Sequence, residues 1–340
     1  MEHRLQTTHL KTPYPERQHN YDVTFVSQAS LNRWGFMKEI IRMWKGPISI
    51  AYYVDKKDEN HFRTMEKDLR LRSNIHLECV IKMEGLAFPI NHLRNIAVDH
   101  VKTSHFYLSD MDIWPSSSTY NALLSLPTAD LANDYLVVVV PAYEIKMIPC
   151  TTFEQCTDFY RVYYPKTKQQ LRACVSSRRC NTFRPHQWLH DYYPSDWFYT
   201  SRKLTTIPCW KSDTQDPYGM VKLRPGLPRF NESFVNYAYD KVAWFEELRY
   251  IGYRFDVLTD GYSVDIPHPE STLRQEFFDI IRKTRVFPVF DLYQDFLRHL
   301  NETYEYKAVM ELCPHARRQG RIVYFASDGE AGKFTTNIFA

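Results

Sequence analysis

No run of this 340-residue sequence is long and apolar enough to cross a membrane: the longest aliphatic stretch, residues 136–140 (LVVVV), ends at Pro141, far short of the ~20 residues a membrane helix needs. It reads as a core strand. Residues 1–20 likewise hold no apolar segment that could serve as a signal peptide or an anchor. There is no block of Lys or Arg, and 43 basic against 40 acidic residues leave a net charge of +3. That near balance gives no electrostatic footprint of a nucleic-acid partner. Internal repeats, low-complexity tracts and flexible linkers are also missing. What is present is 44% hydrophobic and 15% aromatic, enough to bury a substantial core in a globular protein.

The seven cysteines point towards a different compartment from residues 1–20. Cys150 and Cys156 are spaced like Cys174 and Cys180, with Cys79, Cys209 and Cys313 elsewhere, an arrangement compatible with disulfides that leaves at least one thiol over. Two sequons, Asn231-Glu232-Ser233 and Asn301-Glu302-Thr303, would accept N-glycans in a secretory lumen. Cys174, Cys180, His186 and His190 also lie close on the chain, but their spacing matches no usual zinc pattern. Disulfide or plain structural roles are expected for them instead.

The first half alternates strand and helix. Residues 22–26 (DVTFV) read as a strand, and residues 27–30 as caps for a helix whose apolar face is Leu31, Trp34, Met37, Ile40, Ile41 and Trp44, stopped at Gly46-Pro47. Residues 48–54 (ISIAYYV) form the next strand, then a helix with Met65 and Leu69, then a strand over 76–81. In FPINHLRNIAVDHV, Pro89 lies near a helix start, with Ile90, Leu93, Ile96, Ala97 and Val101 inward and Asn91, Arg94 and Asn95 on the other side. Short connections of this kind predict an α/β fold with a parallel sheet and ligand-facing loops beyond the strand ends. Residues 150–218 loosen into Tyr-, Pro- and Trp-rich sequence expected to form long loops and short helices. A helix with Val242, Phe245 and Leu248 inward follows and stops at Gly252, before strands over 254–258 and 262–266.

One of those strand ends carries chemistry. In HFYLSDMDIWP (105–115), a short buried strand gives way to Asp110 and Asp112, which alternation would put on the same side. Two carboxylates so close repel each other unless a cation or proton sits between them, so the pair is a hard-metal site or a solvated strand end. From the triplet alone the solvated end is the more ordinary reading.

The stretches VTFVSQASLNRW, KGPISIAYYV, FPINHLRNIAVDHV, FYLSDMDIWP, VVVPAYE, YPKTKQQL, DPYGMVK, FVNYAYDKVAWFEELRYIGYRFDVL and DIPHPES, in this order between about residues 20 and 272, resemble glycosyltransferase family 49, and specifically the C-terminal catalytic domain of LARGE-type enzymes. The resemblance implies a GT-A fold: a Rossmann-like, nucleotide-sugar-binding α/β sheet joined to an irregular acceptor-binding region. It implies a metal-dependent, inverting transfer of glucuronic acid from UDP-glucuronate to a xylose-containing acceptor on a glycoprotein or related glycoconjugate, in the Golgi lumen. Nucleic acid is not an expected partner, and a membrane is expected only through an anchor that this sequence does not contain.

By the same resemblance, Asp110 and Asp112 are the DxD pair and His268, in DIPHPES, the late ligand of a Mn2+ ion that neutralises the donor diphosphate. Mixed oxygen and imidazole ligation suits Mn2+ better than Ca2+. Asp110 is expected to touch the ribose or orient its neighbours as well. Ser27 and Gln28 stand where such a sheet meets uridine, and Asn91 and Arg94 lie on the helix before the DxD strand, where a guanidinium could brace Asp110 or the diphosphate. Asp240, in NYAYDK, is the candidate base, its ordinary alternative being a helix cap; Glu144 and Asp216 are weaker candidates.

The chain departs from the family in one motif: a segment that reads FxGxGW there is Phe234-Val235-Asn236-Tyr237-Ala238-Tyr239 here, without either glycine. That loss motivates an alternative reading, a catalytically silent relative that binds glycans or acts as a scaffold. The expected organisation is an N-terminal segment (1–20), a catalytic domain (21–285, with 150–218 as acceptor-side loops) and a C-terminal helical extension (286–340).

Overall fold

The computed structural model describes residues 7–8 and 21–317, apart from 70–71, 84, 147–149, 186–188, 305–307 and 309. His186 therefore lies outside the described residues, as do most of the N-terminal segment and residues 318–340. Among the described residues, a nine-stranded sheet runs in the order Thr7–Thr8, Ile75–Ile81, Ile48–Val54, Val23–Ser30, His105–Leu108, Gly219–Lys222, Leu136–Val139, Arg254–Leu258, Leu204–Thr206. The four strands from Ile75–Ile81 to His105–Leu108 are mutually parallel, and Gly219–Lys222 then pairs antiparallel with both its neighbours. All seven residues of Ile48–Val54 are buried, as expected for a parallel strand covered on both faces.

The expected α/β alternation is present, with one shift. The first strand continues through Ser30 instead of stopping at Val26, because Phe25 to Ser30 pair in register with Ile48 to Tyr53. Ser27 is thus a buried strand residue and not a cap, and the α-helix begins only at Trp34. The helix Ile90–Asp99 also differs from a half-solvated one: Asn91, Arg94 and Asn95 are all buried. Their amides clamp a distant segment, Asn91 donating to the carbonyls of Asn231 and Asp240, and Asn95 to that of Phe230.

A smaller sheet orders Ile113–Pro115, Ser263–Asp265, Ala142–Ile145 and Cys180–Thr182. It brings the chain just after Asp112 beside the chain just before His268, and the Ile266 amide donates to the Asp112 carbonyl at 2.9 Å. The 150–218 region contains two helices, Phe153–Tyr163 and Lys168–Ser176, each capped by a threonine hydroxyl. Disulfides close Cys150–Cys156, Cys174–Cys180 and Cys209–Cys313, leaving Cys79 as a buried thiol. Cys174 and Cys180 are thereby removed from any zinc site.

In the expected C-terminal extension, the helix Phe290–Tyr304 shares an apolar cluster with the helices Asp240–Ile251 and Thr272–Thr284 through Tyr293, Phe296, Leu300, Val242, Ala243 and Phe277. The strand Leu312–Arg317 pairs parallel with Trp210–Ser212. No helix among the described residues is long and apolar enough to cross a membrane.

Candidate active site

The site forms beyond the carboxyl end of His105–Leu108, near the middle of the sheet. A turn there, closed by the Ile113 amide on the Asp110 carbonyl at 3.1 Å, replaces the strand alternation that would have aligned the two aspartates. The carboxylates consequently take separate cationic partners. Asp110 Oδ1 accepts from Arg94 at 3.2 Å, and its Oδ2 lies 3.5 Å from Lys241 Nζ. Asp112 Oδ2 lies 3.0 Å from His268 Nε2.

Each ion pair shows in the local acidities. Burial acts to raise the Asp110 carboxyl, but Lys241 and Arg94 together hold it below the usual carboxylate range. Burial opposes ionisation of Asp112 too, and the His268 hydrogen bond and charge outweigh it, bringing that carboxyl well below its ordinary value. His268 is raised in return: burial disfavours its charge, and Asp112 more than offsets this. Asp265, whose strand precedes His268, goes the other way, pushed up to about 7 by burial and by the nearby Asp112 charge.

His268 is tightly oriented. Its ring stacks on Phe153 with centroids 5.1 Å apart, and its Nδ1 lies 2.7 Å from the Pro269 carbonyl oxygen. A carbonyl only accepts, so Nδ1 carries a hydrogen, and the raised, charged ring donates its Nε2–H to Asp112; a metal bound there would take the place of that Nε2 proton while Nδ1–H stays on Pro269. This is the arrangement of a metal-ligating imidazole held by an outer partner. The donor set of one carboxylate and one imidazole converging within 3.0 Å therefore fits a divalent metal such as Mn2+, with both side chains partly open to solvent.

Arg94 and Lys241 connect this pair to two further acids. Arg94, almost fully buried, reaches Asp240 Oδ2 at 2.5 Å and the Asn91 side-chain oxygen at 2.9 Å. Burial works against its charge, and the surrounding aspartates, Asp240 foremost, keep it firmly protonated. Lys241 Nζ lies 3.3 Å from Asp216 Oδ1 and 3.4 Å from the centre of the Tyr218 ring. The Asp216 carboxyl is pushed up to about 6 by burial, with Lys241 pulling against that rise.

Of the residues singled out from the sequence, Asp110, Asp112, His268, Arg94, Asn91 and Asp240 come together here. Asp240 opens the helix Asp240–Ile251. The Asn91 amide is spent on the Asn231 and Asp240 carbonyls, so it positions the site. Ser27 and Gln28 lie on the neighbouring strand Val23–Ser30, Ser27 buried and Gln28 partly exposed. Lys241 was not anticipated. The available signal was a lysine in the first turn of a helix, where the helix dipole disfavours a cation unless anions such as Asp110 and Asp216 receive it.

The segment that lost its glycines keeps a glycine-like backbone. Asn236, Ala238 and Tyr239 have φ of 64°, 80° and 58°, the left-handed region in which glycine is the usual residue. Asn236 is held there by its own side chain, which accepts from the Phe88 amide at 2.7 Å while its amide donates back to the Phe88 carbonyl.

Residues 66–266 match a family model described as glycosyl-transferase for dystroglycan. The chain is 32% identical over 276 residues to mouse and human xylosyl- and glucuronyltransferase LARGE1, covering 79% of this chain and 34% of each relative. It is 31% identical over 312 residues to rat xylosyl- and glucuronyltransferase LARGE2, covering 89% of this chain and 41% of that protein. The chain thus spans about a third of the length of the LARGE1 relatives. Among solved structures it is similar to S. aureus TarS 1-349 in complex with UDP-GlcNAc (TM-score 0.49, 11% identity, 85% of this chain and 68% of that one). It is also similar to GalNAc-T7 with UDP, GalNAc and Mn2+ (TM-score 0.49, 10% identity, 86% and 56%).

Proposed function

The chain belongs to the family described as glycosyl-transferase for dystroglycan, and from that premise we propose that it is a metal-dependent inverting glycosyltransferase that moves glucuronic acid from UDP-glucuronate to a xylose-containing acceptor. The observation that carries this reading is the Asp112–His268 pair at 3.0 Å, with Pro269 holding His268 Nδ1–H so that Nε2 is the atom a metal would take once its proton leaves. The relatives' names, which include glucuronyltransferase, support the donor.

Asp112 and His268 would hold Mn2+, and Asp110, whose oxygens face Arg94 and Lys241, would contribute through those cations and the donor ribose. When bound, the metal supplies positive charge against the diphosphate of the departing UDP. Ser27 and Gln28 are assigned to the uridine side. In the transfer, the bond between the anomeric carbon and UDP breaks as the acceptor hydroxyl attacks from the opposite face. The hydroxyl proton passes to a carboxylate. Asp216 has the basicity for that role, because its carboxyl is pushed up to about 6 by burial and a base works best with a pKa near the operating pH. Asp240, the base expected from the sequence, has one oxygen engaged by Arg94 and is assigned to holding that guanidinium in place.

The three disulfides support residence in an oxidising lumen, consistent with the Golgi. The alternative, a silent glycan-binding or scaffold relative, rested on the lost glycines. It is weakened by the left-handed backbone that Asn236, Ala238 and Tyr239 preserve.

The test is a panel of UDP-sugars with a xyloside acceptor, the product linkage being read by NMR. A β-linked glucuronoside formed from the α-linked donor is expected. A different sugar would move the donor assignment, and no product from folded, Mn2+-supplied protein would favour the silent relative.

A further inference from the structure

The strand Ile75–Ile81 places His76 and Glu78 on one face, two residues apart. This is the start of a parallel strand, the end of the sheet opposite to Asp110 and Asp112. The helix Ile90–Asp99 finishes beside it, and the residue capping that helix is His100. Three groups that nothing in the transfer reaction uses meet there.

The Nε2 atoms of His76 and His100 lie 3.4 and 3.5 Å from the same atom, Glu78 Oε2. The Glu78 side chain has no solvent exposure, whereas the two imidazoles are 19% and 23% exposed. Their ring centroids are 3.8 Å apart, and one ligand atom from each of the three residues falls within 4.8 Å of the others.

These separations are too long for hydrogen bonds, which run at about 2.7–3.2 Å from nitrogen to oxygen. His76 Nε2 is in fact buried without a hydrogen-bond partner. They do suit a shared cation. A tetrahedral zinc with ligand bonds of about 2.0–2.2 Å sets its ligand atoms roughly 3.3–3.5 Å apart. The end of the Ile90–Asp99 helix adds partial negative charge on the same side. Two imidazoles and one carboxylate favour zinc over magnesium or calcium.

We propose that His76, Glu78 and His100 bind a zinc ion, a site separate from the one at Asp112 and His268. The ion ties the end of the Ile90–Asp99 helix to the start of the Ile75–Ile81 strand. The partial exposure of both imidazoles leaves its fourth position to water. No bond of the protein is made or broken beyond the loss of any imidazole protons on binding.

The full chain, stripped with a chelator and dialysed against trace zinc, tests this by metal analysis and by the visible spectrum after Co2+ loading. Wild type and Asp112→Ala are expected to retain about one tightly held zinc and to give the intense bands of tetrahedral Co2+. His76→Gln and His100→Gln should each bind it more weakly by about tenfold or more, and their melting temperatures should no longer respond to zinc. Zinc lost from Asp112→Ala and kept by both histidine variants would overturn the proposal. If a histidine variant fails to fold, the Co2+ spectrum of Asp112→Ala, in which the other metal pair is broken, decides: without tetrahedral bands, the site is not there.

Discussion

His268 Nε2 lies 3.0 Å from Asp112 Oδ2, although 156 positions separate them in sequence. The contact is built by the small sheet that pairs Asp265 with Ile113 and by the Ile266 amide on the Asp112 carbonyl. If the pair holds the metal, His268→Gln should raise the Mn2+ concentration needed for half-maximal activity by roughly 10- to 100-fold, with much less effect on the melting temperature of the metal-free protein. A Mn2+ titration of activity checks this. An unchanged half-saturation point would remove His268 from the metal site.

Arg94 is nearly fully buried between Asp240 and Asp110. Removing a buried cation leaves its partners as uncompensated charge, which costs about 3–5 kcal/mol. Arg94→Met is therefore expected to lower stability by that order in urea unfolding. Arg94→Met combined with Asp240→Asn should recover part of the loss, because one stranded charge has gone. A double variant no more stable than the single one would show that the pair is not coupled as described.

The proton-accepting role proposed for Asp216 makes a signed pH prediction. With its carboxyl raised to about 6, it is protonated below that pH and cannot accept a proton. Activity should fall as pH drops through the region of pH 6 and level off above it. The same raised value makes a stability contribution of the opposite sense: between the ordinary carboxylate pKa of about 4 and 6 the folded state binds the extra proton. That contribution is lost as pH rises through the window. Asp216→Asn should abolish the acidic limb along with most activity, whereas Asp240→Asn should lower activity and leave the limb in place. The reverse pattern would return the base to Asp240.

Asn236 occupies a left-handed position, φ 64°, and accepts a hydrogen bond from the Phe88 amide. Asn236→Ala loses both the tolerance for that backbone and the bond, at a cost of roughly 2 kcal/mol. Asn236→Gly keeps the backbone and should cost less, about 1 kcal/mol. Thermal or urea unfolding of the two variants decides the order, and an alanine variant more stable than the glycine one would contradict it.

Much of this was legible in the sequence where local pattern governs. ISIAYYV and HFYL announced buried parallel strands, Gly252 announced a helix end, and the equal spacing of Cys150/Cys156 and Cys174/Cys180 matched two disulfides. The misses are non-local. Asn91, Arg94 and Asn95 looked like a polar helix face because what covers them, the Phe230 to Asp240 segment, arrives about 140 positions later. Ser27 to Ser30 looked like caps because polar residues signal helix starts, whereas pairing with Ile50 to Tyr53 keeps them in the strand. Lys241 and the elevated Asp216 carboxyl depend on burial, which a list of residue types does not carry. The Cys209–Cys313 bridge spans 104 positions, so spacing gave no hint of it.

The most direct measurement is UDP release from UDP-glucuronate with a xyloside acceptor, with and without Mn2+, for the wild type and for Asp112→Ala. Release that requires Mn2+ and falls by about 100-fold or more in the variant is the expected result. Release that persists undiminished in Asp112→Ala, or without any divalent metal, would contradict the assignment of Asp112 and His268 as the centre of the reaction.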